Sequence, residues 1–243
     1  MIETPDLMVT AVIVAAGKGE RMQSRIPKQY LHIYGVPVLA RTLLIFNACP
    51  LIKKIHLVVP ESDFELVKNT VLPFIRPAKA LDLVPGGARR QDSVHNGILG
   101  LEGDGYVLVH DGVRPFVRNE DIVNCLNAAR RFKAAILGIP AMDTLKQADS
   151  DLFIEKTIDR RSIWLAQTPQ VFQCRLLKEA HESAQRKGLS GTDDASLVEA
   201  MGGTVRIVPG SPYNIKITTP EDFTFAHAML HEENRTEGFI PRF

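Results

Sequence analysis

Two glycines, two arginines and two lysines crowd the segment AAGKGERMQSRIPKQ, Ala15–Gln29, directly after the apolar run Val9–Val14. Almost nothing in it can fill a core. Its charge and bare backbone point to an anion carrying several negative charges. Gly17-Lys18-Gly19 turns tightly and offers N–H groups to a phosphate. Arg21 and Lys28 add charge, and Pro27 stiffens the chain just before Lys28. The segment fits neither of two well-known glycine fingerprints. Met22 stands where G-x-G-x-x-G needs its third glycine, and no G-K-[ST] is present. By spacing alone, a solvated turn after a strand would use the same residues.

Three further stretches carry chemistry-bearing side chains. In PGGARRQDSVHNG, Pro85–Gly97, Gly86 and Gly87 let a flat ring approach the backbone, with Arg90 and Ser93 in hydrogen-bonding range of it; a plain loop entering a helix is the alternative. In VLVHDGVRP, Val107–Pro115, Asp111 follows an apolar strand directly. A single carboxylate there suits Mg²⁺, which keeps several waters and takes other ligands from phosphates. Arg114 is spaced to pair with a phosphate, or with Asp111 as a structural ion pair. Cations recur at Arg160 and at Lys216, which lies within the apolar NIKIT. A lysine in such a run faces water at an edge or is buried with an anionic partner. Thr192, Asp193 and Asp194 read as a helix cap with charges that suit the helix dipole. No Ser–His–Asp or Cys–His arrangement stands out, so a covalent intermediate is not indicated.

These side chains need a scaffold. The chain has 243 residues, 45% hydrophobic and 23% charged, with a net charge of +1. That balance excludes a general nucleic-acid-binding surface and makes any basic site local. Cys49, Cys125 and Cys174 are far apart and odd in number, which argues against a disulfide framework or a zinc site. No run of about eighteen apolar residues is present, and Met1–Thr10 carries acids rather than a basic, then apolar, leader. The expectation is a soluble cytoplasmic protein that binds neither membrane nor nucleic acid.

Short apolar runs at Val9–Ala15, Ile55–Val59, Tyr106–Val109 and Ala134–Ile139 predict strands covered on both faces. Helical patterns at Val38–Asn47, Asp63–Leu72, Arg89–Leu99 and Glu120–Phe132 separate them. The alternation predicts an α/β fold with a mostly parallel sheet and flanking helices. Such sheets bind ligands beyond the carboxyl ends of their strands, so AAGKGERM and HDGVRP share one edge. After Pro140 the rhythm breaks into a β-hairpin-like excursion around ADSD, followed by helices over CRLLKEAHESAQRKG and TDDASLVEAMGG, with Thr192 as the N-cap of the second. TVRIVPG and YNIKITT predict short strands, and PEDFTFAHAMLHEE a last helix with Pro220 in its first turn. No linker or repeat divides the chain, so residues 1–243 read as one domain.

In one order, AAGKGERM…PKQ, GG…R…S, VHDGVRP, TIDR…W…QTPQ, TDDAS and NIKITTPED closely resemble the 2-C-methyl-D-erythritol 4-phosphate cytidylyltransferase family, from Val12 to about Phe223. The resemblance implies a Rossmann-like nucleotidyltransferase fold with a β-arm, Ala141–Gln170, that dimerises by reaching a partner chain. It implies Mg²⁺-dependent transfer of a cytidylyl group from CTP to a polyol phosphate, with release of pyrophosphate, in the non-mevalonate route to isoprenoids. It places the CTP phosphates on Ala15, Ala16, Gly17 and Gly19, with Arg21 and Lys28 stabilising charge. Gly86, Gly87 and Ser93 match the cytosine pocket. Asp111 matches the metal-linked acid, Thr144, Arg160 and Lys216 hold the acceptor phosphate, and Thr192 lies near the acceptor polyol. Ala88 stands where many relatives carry an acid after GG, and Tyr213 where some carry one before NIK. A cytidylyltransferase for another polyol phosphate, such as ribitol 5-phosphate, would share the phosphate and base sites. A silent CTP-binding regulator would not need acceptor-side cations, and a dehydrogenase is disfavoured by the failed glycine fingerprint.

Overall fold

The computed structural model of the chain describes residues 8–17, 19, 22, 26–101 and 103–236. Its first half runs through β1 (Val9–Val14), β2 (His32–Ile33), β3 (Val36–Pro37), α1 (Val38–Ala48), β4 (Lys54–Val59), α2 (Phe64–Thr70), β5 (Ala80–Pro85), α3 (Arg90–Ile98) and β6 (Tyr106–Asp111). Its second half adds α4 (Asn119–Phe132), β7 (Ala134–Pro140), β8 (Leu145–Ala148), β9 (Ile154–Ile158), β10 (Trp164–Gln173), α5 (Cys174–Lys187), α6 (Asp194–Glu199), β11 (Arg206–Pro209) and α7 (Pro220–Thr236). Seven strands form one sheet in the order β11-β7-β10-β6-β1-β4-β5. Neighbours pair in parallel except around β10, which runs antiparallel to both β6 and β7.

The apolar runs form strands because helices cover both faces of the sheet, and side chains alternate between them. Val9, Ala11 and Ile13 enter a core with Leu43 and Phe46 of α1 and Ile122 and Leu126 of α4. Val12 and Val14 point the other way, toward Val94 and Ile98 of α3, Leu177 of α5 and Leu197 of α6. A third cluster seats Ala226 and Leu230 of α7 on Val38, Val113 and Ile217. From β1 the chain builds outward through β4 to β5, then crosses to the other side of β1 at β6. That reversal leaves a crevice between the carboxyl ends of β1 and β6, where α/β sheets take their ligands.

Three of the structure's departures from the sequence expectations bear on the sheet and the excursion. β5 has no counterpart among the predicted strands. It is an edge strand, and Asp82 interrupts its apolar run by facing out to pair with Lys54 at 2.6 Å. YNIKITT, read as a strand, is irregular; the Ile217 N–H bonds to the Val113 carbonyl at 3.0 Å, and no ladder forms. The excursion after Pro140 does not extend to Gln170. β8 and β9 pair as an antiparallel hairpin, but Trp164–Gln173 returns to the centre of the main sheet.

Candidate active site

A cavity of about 680 Å³ opens in the crevice, lined by residues from the loop after β1, the start of α3, the end of β6 and Lys216. Its first wall is the segment following β1. Ala15 continues the strand through a bond from its N–H to the Val58 carbonyl at 2.8 Å. The Gln29 amide donates to the carbonyls of Ala15 at 3.0 Å and Gly17 at 3.3 Å. This ties the phosphate-type loop to the helical turn Lys28–Tyr30, which the Tyr30 hydroxyl anchors to Asp63 at 2.8 Å. Lys28 therefore meets the cavity on a braced turn, its stem alongside Gly19. Ala16, Gly17 and Gly19 join this wall. Arg21, expected here from the sequence, lies outside the described residues.

The second wall begins at Gly86 and Gly87. A Cβ on Gly86 would stand 2.3 Å from the Cβ of Ala16, so only glycine lets these two loops touch. The Ser93 hydroxyl accepts from the Gly87 N–H at 3.0 Å and donates to the Arg89 carbonyl at 3.1 Å. Ser93 thus shapes the loop that precedes it. Gly87, Ala88 and Ser93 line the cavity; Gly86 does not, and packs against Ala16, Ser93 and Val59.

The floor is Asp111, the last residue of β6 and only 6% exposed. Three cations surround its carboxylate: Arg90 Nε is 3.2 Å from Oδ1, while Lys216 Nζ at 3.0 Å and Arg114 Nε at 3.5 Å face Oδ2. Burial pushes the carboxyl pKa up, but Arg90, Lys216 and Arg114 outweigh it and hold Asp111 ionised, well below the ordinary range. The backbone around it is fixed as well. The Asp111 N–H donates to Thr168 Oγ1 at 3.1 Å, and the same hydroxyl meets His110 Nδ1 at 3.1 Å. His110 Nε2 faces the Arg114 carbonyl at 3.1 Å. Burial pushes the His110 pKa down to about 3, so its ring is neutral. The Thr168 proton then goes to Nδ1, and Nε2–H donates to Arg114.

Other expected site residues stand apart from the cavity. Arg114 lies largely buried, with Nη1 donating to the Asn214 carbonyl at 2.7 Å. Thr144 and Arg160 are exposed on and beside the hairpin, where the Arg160 guanidinium reaches the Met142 carbonyl. Thr192 is exposed and does not cap α6. The cap is Asp193, whose Oδ1 accepts from the Ser196 N–H at 3.0 Å. Sequence reading also missed two partners of the floor. Arg90 lines the cavity and pairs with both acids, and Asp194, read as a dipole charge, is buried against it. No spacing in the sequence signals that pairing.

Among the described residues, Asp111 is the one carboxylate lining the cavity, and no cluster of three or more His, Cys, Asp or Glu could hold a metal alone. Its ionised oxygens still fit a hard divalent ion that completes its shell with water and phosphate oxygens, and a cation already sits at Oδ2 in the form of Lys216.

A mostly parallel sheet whose crevice joins a glycine loop with a braced lysine to a cation-ringed carboxylate defines a nucleotidyltransferase. Within that class the assignment sharpens: the family profile described as 2-C-methyl-D-erythritol 4-phosphate cytidylyltransferase matches residues 9–232, and the chain belongs to that family. The 2-C-methyl-D-erythritol 4-phosphate cytidylyltransferase of Syntrophus aciditrophicus is 50% identical over 226 residues, 93% of this chain and 97% of the relative. The protein of the same name from Geobacillus kaustophilus is 46% identical over 220 residues, 90% of this chain and 96% of the relative. The crystal structure of 4-diphosphocytidyl-2C-methyl-D-erythritol synthase from Anaerococcus prevotii superposes with a TM-score of 0.82 at 33% identity, covering 93% of this chain and 97% of that one. No described helix is long and apolar enough to cross a membrane.

Proposed function

We propose that this chain transfers a cytidylyl group from CTP to 2-C-methyl-D-erythritol 4-phosphate, giving 4-diphosphocytidyl-2-C-methyl-D-erythritol and pyrophosphate, as a cytoplasmic step of the non-mevalonate route. The observation that carries this reading is the cavity itself, which puts the glycine loop and Lys28 on one side and Asp111 with Lys216 on the other. An acceptor phosphate oxygen attacks the α-phosphorus of CTP, and pyrophosphate leaves in line. The nucleophile is already anionic, so no general base is needed. The barrier lies in bringing anions together, and positioned cations lower it. Lys28 and Arg21 serve the CTP phosphates, Gly86, Gly87 and Ser93 form the cytosine pocket, and Lys216 receives the acceptor phosphate. Asp111 would hold Mg²⁺, which when bound neutralises phosphate charge.

The acceptor side also uses Thr192, Arg114, and Thr144 and Arg160 of the arm. We read the whole chain as one nucleotidyltransferase domain with a protruding arm, working as a homodimer in which each arm completes the partner's site. Support comes from the arm's surface, where Met142, Leu152, Phe153 and Ile154 are 64–84% exposed. A two-stranded hairpin with that much apolar surface gains stability only against a further surface. The test is pyrophosphate release from CTP with 2-C-methyl-D-erythritol 4-phosphate, with ribitol 5-phosphate and without acceptor. Release with the first alone is expected. Equal or faster release with ribitol 5-phosphate would transfer the assignment to that acceptor. CTP binding with no release in any arm would make the protein a regulator.

A further inference from the structure

Asp194 is 1% exposed, does not line the cavity and does not cap its own helix, since Asp193 and Gln170 already satisfy the first N–H groups of α6. Burying a carboxylate for no purpose is costly, so its partners show its use. Its Oδ2 accepts from Arg90 Nη1 at 2.8 Å, and its Oδ1 faces His181 Nε2 at 3.1 Å. His181 is 1% exposed too, and its ring stacks on His95 with centroids 5.9 Å apart. Arg90 is therefore clamped from behind, and its other nitrogen, Nε, reaches Asp111 Oδ1.

The charges around Asp111 show what the clamp does. Three cations share one carboxylate at the floor. If the full charge of Arg90 fell on Asp111, that carboxylate would be overcompensated and a poor anchor for a further cation. Asp194 draws part of that charge away and fixes Arg90 at Oδ1. Oδ2 is left to Lys216, whose side chain is 36% exposed against 12% for Arg114, so Lys216 is the cation best able to move aside. Resting on the reading of Asp111 as the metal-linked acid, we propose that Asp194, oriented by His181, is a positioning residue that splits the charge of Arg90 between two carboxylates and so keeps Oδ2 of Asp111 open to exchange between Lys216 and a divalent cation. Burial raises the Asp194 pKa, yet Arg90 and His181 outweigh it, so the clamp stays anionic.

The test is thermodynamic and needs no turnover. Calorimetry of CTP binding, with and without Mg²⁺ and with no acceptor, gives the metal-dependent gain in CTP affinity for each variant. Asp194→Asn should cut that gain about tenfold, the scale of one redirected charge at this depth. His181→Leu should cut it in the same direction, and His181→Gln, which restores a donor to Asp194, should recover most of it. An equal loss of CTP affinity with and without metal in Asp194→Asn would leave only a structural role and overturn the proposal. If Asp194→Asn fails to fold, the His181→Leu and His181→Gln pair decides in the same way. Asp111→Asn separates the premise from the inference. A gain that survives Asp111→Asn removes the metal role of Asp111, whereas a gain lost there but intact in Asp194→Asn and His181→Leu overturns the positioning role alone.

Discussion

Asp111, Arg90, Asp194 and Lys216 at the cavity floor pair with one another inside one chain, whereas the β8–β9 hairpin holds Met142, Leu152, Phe153 and Ile154 out to solvent. The floor is finished by its own fold: both of its carboxylates are held by cations and its backbone is bonded through Thr168 and His110. The arm's apolar side chains and its two expected phosphate ligands, Thr144 and Arg160, are exposed, and neither ligand is among the described residues that line the cavity. The difference implies two kinds of part. The floor is organised within one chain, and on the proposed reading the arm serves the site of a partner.

The largest expected effect tests the finished half. Lys28 sits on a turn braced through Gln29 and Tyr30 and lines the cavity, and on the proposed reading its ammonium meets charge that shifts during transfer. Lys28→Ala should lower kcat by about 10²–10³-fold, the scale of losing one preorganised electrostatic contact. Steady-state pyrophosphate release measures it, and near-normal turnover would take Lys28 off the catalytic list.

The next experiment asks whether the arm is delivered. Lys28→Ala chains are co-expressed with Arg160→Ala chains, each nearly inactive alone. In a mixed dimer with exchanged arms, one site collects both defects and the other neither. With random pairing, roughly a quarter of all sites become wild-type, by twofold symmetry. Were each chain to complete its own site, mixing would restore nothing. Confirmed mixed dimers without recovered activity would return the arm to its own chain.

Much of the finished half is legible in the sequence because its determinants are local. Val9–Val14 and Tyr106–Asp111 are buried along their whole length; Asp111 ends the second run, and Gly17 follows the first after two alanines. What is hidden depends on distant partners. Arg90 and Asp194 meet across 104 positions of chain, so neither neighbourhood reveals that the pair is buried. β5 is hidden because an edge strand needs only one apolar face, and Asp82 breaks its run. NIKIT looks like a strand, yet Asn214 is drawn into the interior by Gln167 and Thr168 instead of extending a ladder.

A smaller effect probes how the two walls of the finished half meet. Gly86→Ala places a methyl 2.3 Å from the Cβ of Ala16, so one loop must shift. Overpacking of this kind costs about 1–3 kcal/mol, which lowers Tm by about 2–4 °C per kcal/mol in a chain of this size. CTP affinity should fall with it if both loops, which line the cavity, frame the nucleotide as proposed. Gly17→Ala, where a Cβ meets no described atom within 4 Å, should leave Tm in place. Equal melting losses for the two variants would show that loop contact is not what Gly86 provides.

The smallest effect separates two adjacent residues that the sequence reading merged. Asp193 caps α6 through the Ser196 N–H at 3.0 Å and is itself held by the Gln170 amide at 2.7 Å. Thr192, one position earlier, is exposed. Asp193→Ala should therefore cost about 1 kcal/mol, the usual loss for a cap, with Tm falling by about 2–4 °C. Thr192→Ala should stay within about 0.5 kcal/mol, as surface changes do. Its effect should appear instead as a raised KM for the acceptor, with the KM for CTP unchanged. Thermal melts and acceptor titrations on both variants check this division. A melting loss in Thr192→Ala equal to that of Asp193→Ala would return the cap to Thr192, and an unchanged acceptor KM would remove Thr192 from the site. Each result bears on the boundary between floor and acceptor side, because α6 also carries Asp194, and a frayed α6 would loosen the clamp on Arg90.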